Sequence, residues 1–155
     1  FNEAKIGDEI IYRGPMGVFT LPDNLLERDI YFVSTGSGVS PFRSMINNIY
    51  NNKIPFKKIN LYFGTRRESD LLYRQEFEKI AKELPNFNYI PTLSQEDKLG
   101  FRKGHVHEHY LNDINTEDKP LVYFCGWDRM ITEGRIKLDA MGFKMQKDIR
   151  VEIFG

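Results

Sequence analysis

Cysteine is nearly absent: Cys125 is the only one in 155 residues. A single thiol excludes an internal disulfide framework. It also excludes a self-contained iron–sulfur site, which takes about four thiolates. A reducing, cytoplasmic setting fits such a chain. Net charge is missing as well, because Lys+Arg and Asp+Glu both number 22. That balance offers no electrostatic ground for a nucleic-acid or membrane-surface partner. No apolar run approaches the roughly 20 residues of a membrane span. No signal peptide is visible, and there is neither an internal repeat nor a low-complexity segment. The chain opens on Phe1 rather than Met, which suggests a fragment with sequence removed upstream.

What is present is a core. Hydrophobic residues make up 41% of the chain, which argues for one compact domain with a short extension. The opening stretch, Gly7 to Phe19, is dense in Gly and Pro and reads as strand, turn, strand. Ile30-Tyr31-Phe32-Val33 is a continuous β-branched and aromatic run, the pattern of a strand buried on both faces. A small-residue loop follows, then a helix from Pro41 to about Tyr50 with Phe42, Met45, Ile46 and Ile49 on one face. Ile59 to Phe63 is the second strand. Ser69 is a suitable N-cap for the next helix, with Asp70 in its first turn and Pro85 stopping it. Phe87–Leu93 is the third strand, His105–Leu111 a short helix, and Leu121–Phe124 the fourth strand. Asp128 to Met141 is a helix closed by Gly142, and Arg150 to Phe154 the fifth strand. This alternation predicts an α/β fold with a doubly wound, five-stranded parallel sheet.

Ligands of such sheets bind outside the carboxyl ends of the strands. Small or polar residues cluster at four of those ends: Ser34–Gly38, Gly64–Arg67, Ser94–Gln95 and Cys125–Gly126. The first loop carries Gly36 and Gly38 ahead of a helix N-terminus, whose free N–H groups and positive dipole end suit a pyrophosphate. Pro41 stands where the usual G-x-G-x-x-G fingerprint has its third glycine. No acid ends the second strand to hold a ribose diol, so a standard Rossmann dehydrogenase is disfavoured. The loop fails the P-loop pattern too, since no Lys-Ser or Lys-Thr follows its glycines.

Several segments, in order, resemble the ferredoxin–NADP reductase superfamily across essentially the whole chain. Gly14-Pro15-Met16-Gly17-Val18-Phe19 is similar to the segment that closes the family's flavin barrel. Thr35 to Arg43 resembles its T-G-x-G-(V/I)-(A/S)-P-F-R pyrophosphate loop. Gly64-Thr65-Arg66 with Asp70-Leu71-Leu72-Tyr73, Cys125-Gly126-Trp127-Asp128-Arg129-Met130, and Val151-Glu152-Ile153-Phe154 resemble three further family elements.

The resemblance implies hydride transfer between a nicotinamide cofactor and FAD. It implies residues 1–25 as the remnant of an antiparallel FAD-binding β-barrel and 26–155 as the NAD(P)-binding α/β domain. Gly36, Ser37, Gly38 and Pro41 would cradle the pyrophosphate, with Thr35 near the nicotinamide. Cys125 would sit near the reacting carbon, Gly126 would let the backbone pass close, and Met130 would pack beneath. Glu152 and Phe154 match the family's C-terminal acid and flavin-facing aromatic. Gly64 and Arg66, with Ser94 and Gln95, fall at the adenosine end. The barrel's R-x-Y-(S/T) flavin motif does not occur, so this polypeptide alone is expected to hold FAD poorly and to be inactive.

NADPH users in the family often carry Ser-Arg where this chain has Ser94-Gln95. Lys98 and Arg102 could substitute, and the balance tilts slightly to NADH. His105, His107 and His109 read as a solvated helix start rather than a metal site. Lys57-Lys58 and Arg66-Arg67 read as surface charge, or as a greeting for an acidic electron carrier. The expected partner is a ferredoxin, a flavodoxin or an oxygenase component. The alternative reading is a non-catalytic module that binds NAD(H) or an adenine nucleotide.

Overall fold

The computed structural model describes residues 5–9, 11, 13 and 17–153. Six strands, β1 (Ile30–Thr35), β2 (Ile59–Thr65), β3 (Phe87–Leu93), β4 (Arg102–Lys103), β5 (Leu121–Gly126) and β6 (Ile149–Ile153), form one sheet in the order β4-β3-β2-β1-β5-β6. Every pairing is parallel. The doubly wound α/β sheet is therefore as expected, with one strand more. β4 is a two-residue, exposed Arg-Lys pair at the edge. It has no apolar run to announce it, and short charged edges of this kind resist pairing with other chains.

Alternate residues of the inner strands go to opposite layers. Phe32, Leu61, Phe63, Tyr123 and Cys125 face one layer, completed by Phe42, Ile46 and Ile49 of α1 (Val39–Asn52) and Phe77 and Ile80 of α2 (Arg74–Glu83). Tyr31, Val33, Tyr62, Val122 and Phe124 face the other. There they meet Val106 and Tyr110 of α3 (Val106–Asp113) and Met130, Ile131 and Leu138 of α4 (Asp128–Ala140). Burying each of these large side chains contributes roughly 1.5–3 kcal/mol against its exposed state. Two packed faces explain why the strands read as unbroken apolar runs.

Helix starts shift in detail. α1 begins at Val39, so Pro41 lies within the first turn, where its missing N–H would have had no intrahelical partner anyway. Ser69 does not cap α2. Glu68–Asp70 instead form a short 3₁₀ turn, in which the Asp70 carboxylate accepts the Arg67 N–H at 3.1 Å. Local side-chain bonding of this kind competes with helix. α2 starts only after Tyr73, which adopts φ 57 and stacks under the Arg43 guanidinium at 4.3 Å.

Among the described residues before Ile30 there is no strand. Ile10, Tyr12 and Gly14–Met16 of the expected barrel remnant lie outside the described residues, as does Phe154. The segment that is described is anchored. Phe19 packs edge-on to Tyr123 at 5.4 Å, and Tyr123 Oη donates to Thr20 O at 2.8 Å. No helix among the described residues is long and apolar enough to cross a membrane.

Candidate functional site

β1 is the strand from which the chain winds in both directions, with β2 on one side and β5 on the other. At that switch point the carboxyl ends of adjacent strands open a crevice. Thr35 ends β1, a 3₁₀ turn occupies Gly36–Gly38, and α1 follows directly. No side chain caps the α1 N-terminus, and no acid stands in its first turn. The Val39 N–H is spent on the carbonyls of the turn and Pro41 has none, so what α1 offers an anion is the positive end of its dipole, with no acid beside it.

Across the crevice, β5 brings Cys125 into register with Ser34 on one side and Glu152 on the other. The approach is close. A Cβ on Gly38 would press on the Cys125 carbonyl and lie 2.5 Å from Gly126 N. A Cβ on Gly126, which has φ +143, would lie 2.5 Å from Thr35 Oγ1. Only glycine suits either place. Trp127 N donates to Thr35 Oγ1 at 3.3 Å, which ties the end of β5 to the end of β1.

Cys125 is fully buried. Burial, with the Glu152 carboxylate adding to it, pushes its thiol up to about 12. A thiol held protonated is no nucleophile; it is a small wall and a weak donor beneath the crevice. Glu152 is half-buried beside it. Met130 is 8% exposed and belongs to the second core layer, one turn into α4. Ser37 is exposed on the turn, and Pro41 is half-buried behind it.

A second group gathers at the ends of β2 and β3. Gly64, the register partner of Thr35, sits where an added Cβ would come 3.2 Å from Val106 Cβ. Ser94 N donates to Thr65 O at 3.0 Å and Gln95 N to Arg66 O at 2.9 Å. Beyond them lies an open cleft of about 440 Å³ lined by Arg67, Glu68, Ser69, Gln95 and Glu96. Arg66 is exposed, with its guanidinium 6.0 Å from the Trp127 ring centroid.

A family model described as oxidoreductase NAD-binding domain matches residues 32–135. The chain belongs to this family of NAD-binding domains. It is 29% identical, over 94% of its length, to the 2-halobenzoate 1,2-dioxygenase electron transfer component of Burkholderia cepacia. It is 30% identical, over 96%, to a component of the Na(+)-translocating NADH-quinone reductase of Klebsiella pneumoniae. The chain spans 44% and 36% of those two relatives. Among solved structures, a mutant ferredoxin-NADP+ reductase from Plasmodium falciparum with 2'P-AMP superposes with a TM-score of 0.76 and 25% identity. That match covers 99% of this chain and 64% of the other.

In this NAD-binding domain the two loop cations that could substitute for the missing arginine at a 2′-phosphate, Lys98 and Arg102, are both engaged. Lys98 pairs with Glu68, and Arg102 pairs with Asp113 at 2.5 Å. The histidines differ from the expected solvated helix start at one position. His107 is buried, and its Nδ1 lies 3.0 Å from Tyr110 Oη. Burial holds its pKa below the ordinary value. It stands on the side of α3 that packs against α4, which the alternation of three histidines concealed: an added Cβ on Gly134 would come 3.1 Å from its ring, and its Nε2 lies 4.0 Å from Glu133. His105 precedes α3 and its N–H donates to Glu108 at 3.3 Å, while His109 bonds the Lys103 carbonyl. No group of three or more metal-ligating side chains stands together among the described residues. Trp127, to which the motifs assign no role, is 63% exposed at the crevice. A lone tryptophan directly after the Cys125-Gly126 pair was the available signal.

Proposed function

We propose that this domain is the pyridine-nucleotide half of a flavoprotein reductase. It would hold NAD(P)H so that hydride passes to FAD carried outside the described residues, and electrons pass on to a ferredoxin, a flavodoxin or an oxygenase component. The observation that carries this reading is the side-chain-free contact of Gly38 with Cys125 and Gly126 at the switch point, beside an uncapped helix N-terminus. These features fit a dinucleotide. Backbone without Cβ atoms admits a diphosphate closely, and α1's positive end favours its charge.

In this reading Gly36, Ser37, Gly38 and Pro41 line the diphosphate, and Thr35 and Gly126 flank the nicotinamide. Cys125 limits how deep the nicotinamide ring can sink, and Glu152 lies alongside Cys125. Gly64, Arg66, Ser94 and Gln95 serve the adenosine end. Met130 supports the floor from the core. When bound, the nicotinamide supplies the hydride and the flavin accepts it; the chain's own residues orient the ring and exclude water. NADH is favoured over NADPH, because Lys98 and Arg102 already face carboxylates. A free buried thiol accords with a cytoplasmic setting. The dioxygenase and quinone-reductase relatives support an oxygenase component or a quinone-linked chain as the acceptor.

Calorimetric titration of the chain with NADH, NADPH and ADP-ribose tests the binding claim. Uptake of NADH and ADP-ribose, with NADPH weaker, is the expected result. No uptake of any of them would refute it. Flavin absorbance in a longer protein that includes the upstream sequence would separate a reductase from a non-catalytic nucleotide module.

A further inference from the structure

Trp127 is the chain's only tryptophan, and 63% of it is exposed although it follows the buried Gly126 directly. Its backbone is fixed by the bond to Thr35 Oγ1, so the ring is held at the mouth of the crevice. Its Nε1 lies over the phosphate turn, 3.8 Å from where a Cβ on Gly36 would stand. Among the described residues, neither Nε1–H nor Arg66 has a side-chain or carboxylate partner. The Arg66 guanidinium is 6.0 Å from the indole centroid, within cation–π range. An unspent indole donor and an unpaired cation therefore share one edge of the Gly36–Gly38 turn.

We infer that Trp127 Nε1–H, with Arg66 held beside its ring, donates to the diphosphate of the bound dinucleotide and closes the outer edge of the cradle. The inference rests on the nucleotide-site reading above and adds to it a residue from β5's exit. An indole N–H has donor capacity only, which matches an acceptor-only ligand such as a diphosphate. Bonds to a charged oxygen are shorter and stronger than neutral ones. Losing one at a site of this exposure lowers affinity by about tenfold. Arg66, as a guanidinium, adds a salt-dependent share.

The sole tryptophan makes the test direct. The chain is titrated with ADP-ribose, which carries the diphosphate without the nicotinamide, while Trp127 emission and calorimetric heat are followed together. Saturable change in emission, with the same midpoint as the heat, is expected. Trp127→Phe keeps an aromatic face and removes only the donor; it should weaken ADP-ribose about tenfold with an unchanged melting temperature, because the ring is exposed. Arg66→Gln should weaken binding and flatten its dependence on salt. Wild-type affinity in Trp127→Phe, or heat without any change in emission, would overturn the role of the indole while leaving the nucleotide site intact. If the unmodified chain took up no ADP-ribose, the nucleotide-site reading would fall and this inference with it.

Discussion

Gly38→Ala isolates the contact on which the site depends. Gly38 has φ −61 and ψ −7, an ordinary helical conformation, so alanine meets no backbone strain there. Left to backbone entropy alone, the change would stabilise the fold by roughly 0.4–1 kcal/mol. Packing acts the other way. The new methyl would lie 2.5 Å from Gly126 N and against the Cys125 carbonyl, both main-chain atoms of a central strand. Neither can turn aside as a flexible side chain would. Overpacking destabilises by about 1–3 kcal/mol, and contact with rigid main chain puts this site in the upper half of that range, about 2–3 kcal/mol, so packing wins by about 1–2 kcal/mol. For a domain of this size that lowers the melting temperature by about 2–8 °C. Relief must come from parting the β1 turn and the β5 end, which widens the crevice and should lower ADP-ribose affinity by about tenfold or more. Thermal melts followed by circular dichroism, with calorimetry on the same samples, read both effects. Ser44→Ala, on the exposed face of α1, serves as the neutral comparison. An unchanged melting temperature and unchanged affinity in Gly38→Ala would show that the two strand ends do not touch as described.

Other expectations follow from the buried titratable groups and the helix clamps. Cys125 and Tyr31 both hold their protons to about 12, mainly through burial, above ordinary values of 9.0 and 10.0. Their neutral forms are favoured by the fold, so their contribution to stability is complete below pH 9 and is lost as pH climbs toward 12; a urea-midpoint series across that range would check it. At pH 8, alkylation of Cys125 by iodoacetamide should be slow in the native chain and complete only in urea. His107 has the opposite sign: its pKa is held below the ordinary 6.5, so its contribution is complete above 6.5 and fades as pH falls further. Removing the titrating ring with His107→Gln should flatten that acid limb. The Arg43–Glu76 pair, 2.9 Å apart and partly exposed, joins α1 to α2. Arg43→Met should cost under about 1 kcal/mol and leave ADP-ribose affinity unchanged, since the guanidinium is turned to Glu76 and Tyr73 rather than to the crevice.

The strands were legible because both faces of the sheet are covered, so Ile30–Val33 and Leu121–Phe124 had to be apolar throughout. The breaks were harder. α2 does not start at Ser69 because the Asp70 carboxylate is spent on Arg67 N–H and Tyr73 turns left-handed under Arg43. That last contact comes from a residue thirty positions earlier, and no local window contains it. β4 exists only because Arg102 and Lys103 pair with Thr92 and Leu93 at the sheet edge. His107 looked like one of three equivalent histidines; the packing of α4 against α3, which no local window contains, decides which of them is buried.

The site shows the same division between local and distant causes. Gly36 and Gly38 are visible as a motif because a strand, a tight turn and a helix follow one another within ten residues. What makes Gly38 indispensable is eighty-seven residues away, in the Cys125 carbonyl. A glycine that needed a positive φ could be replaced by asparagine with some loss; Gly38, with its ordinary φ, is required by proximity and by nothing local. Two motifs that looked separate are thus one structural object, each leaving out the side chain that would have filled the other. A double change tests this coupling. Gly126→Ala presses on Thr35 Oγ1 across the same seam. If Gly38→Ala already parts the two strand ends, the second methyl finds room, and the two losses in stability should sum to less than their separate values by about 0.5 kcal/mol or more. Strict additivity would mean that the two glycines serve independent turns, and the crevice would then be an accident of the fold rather than a joint made by both.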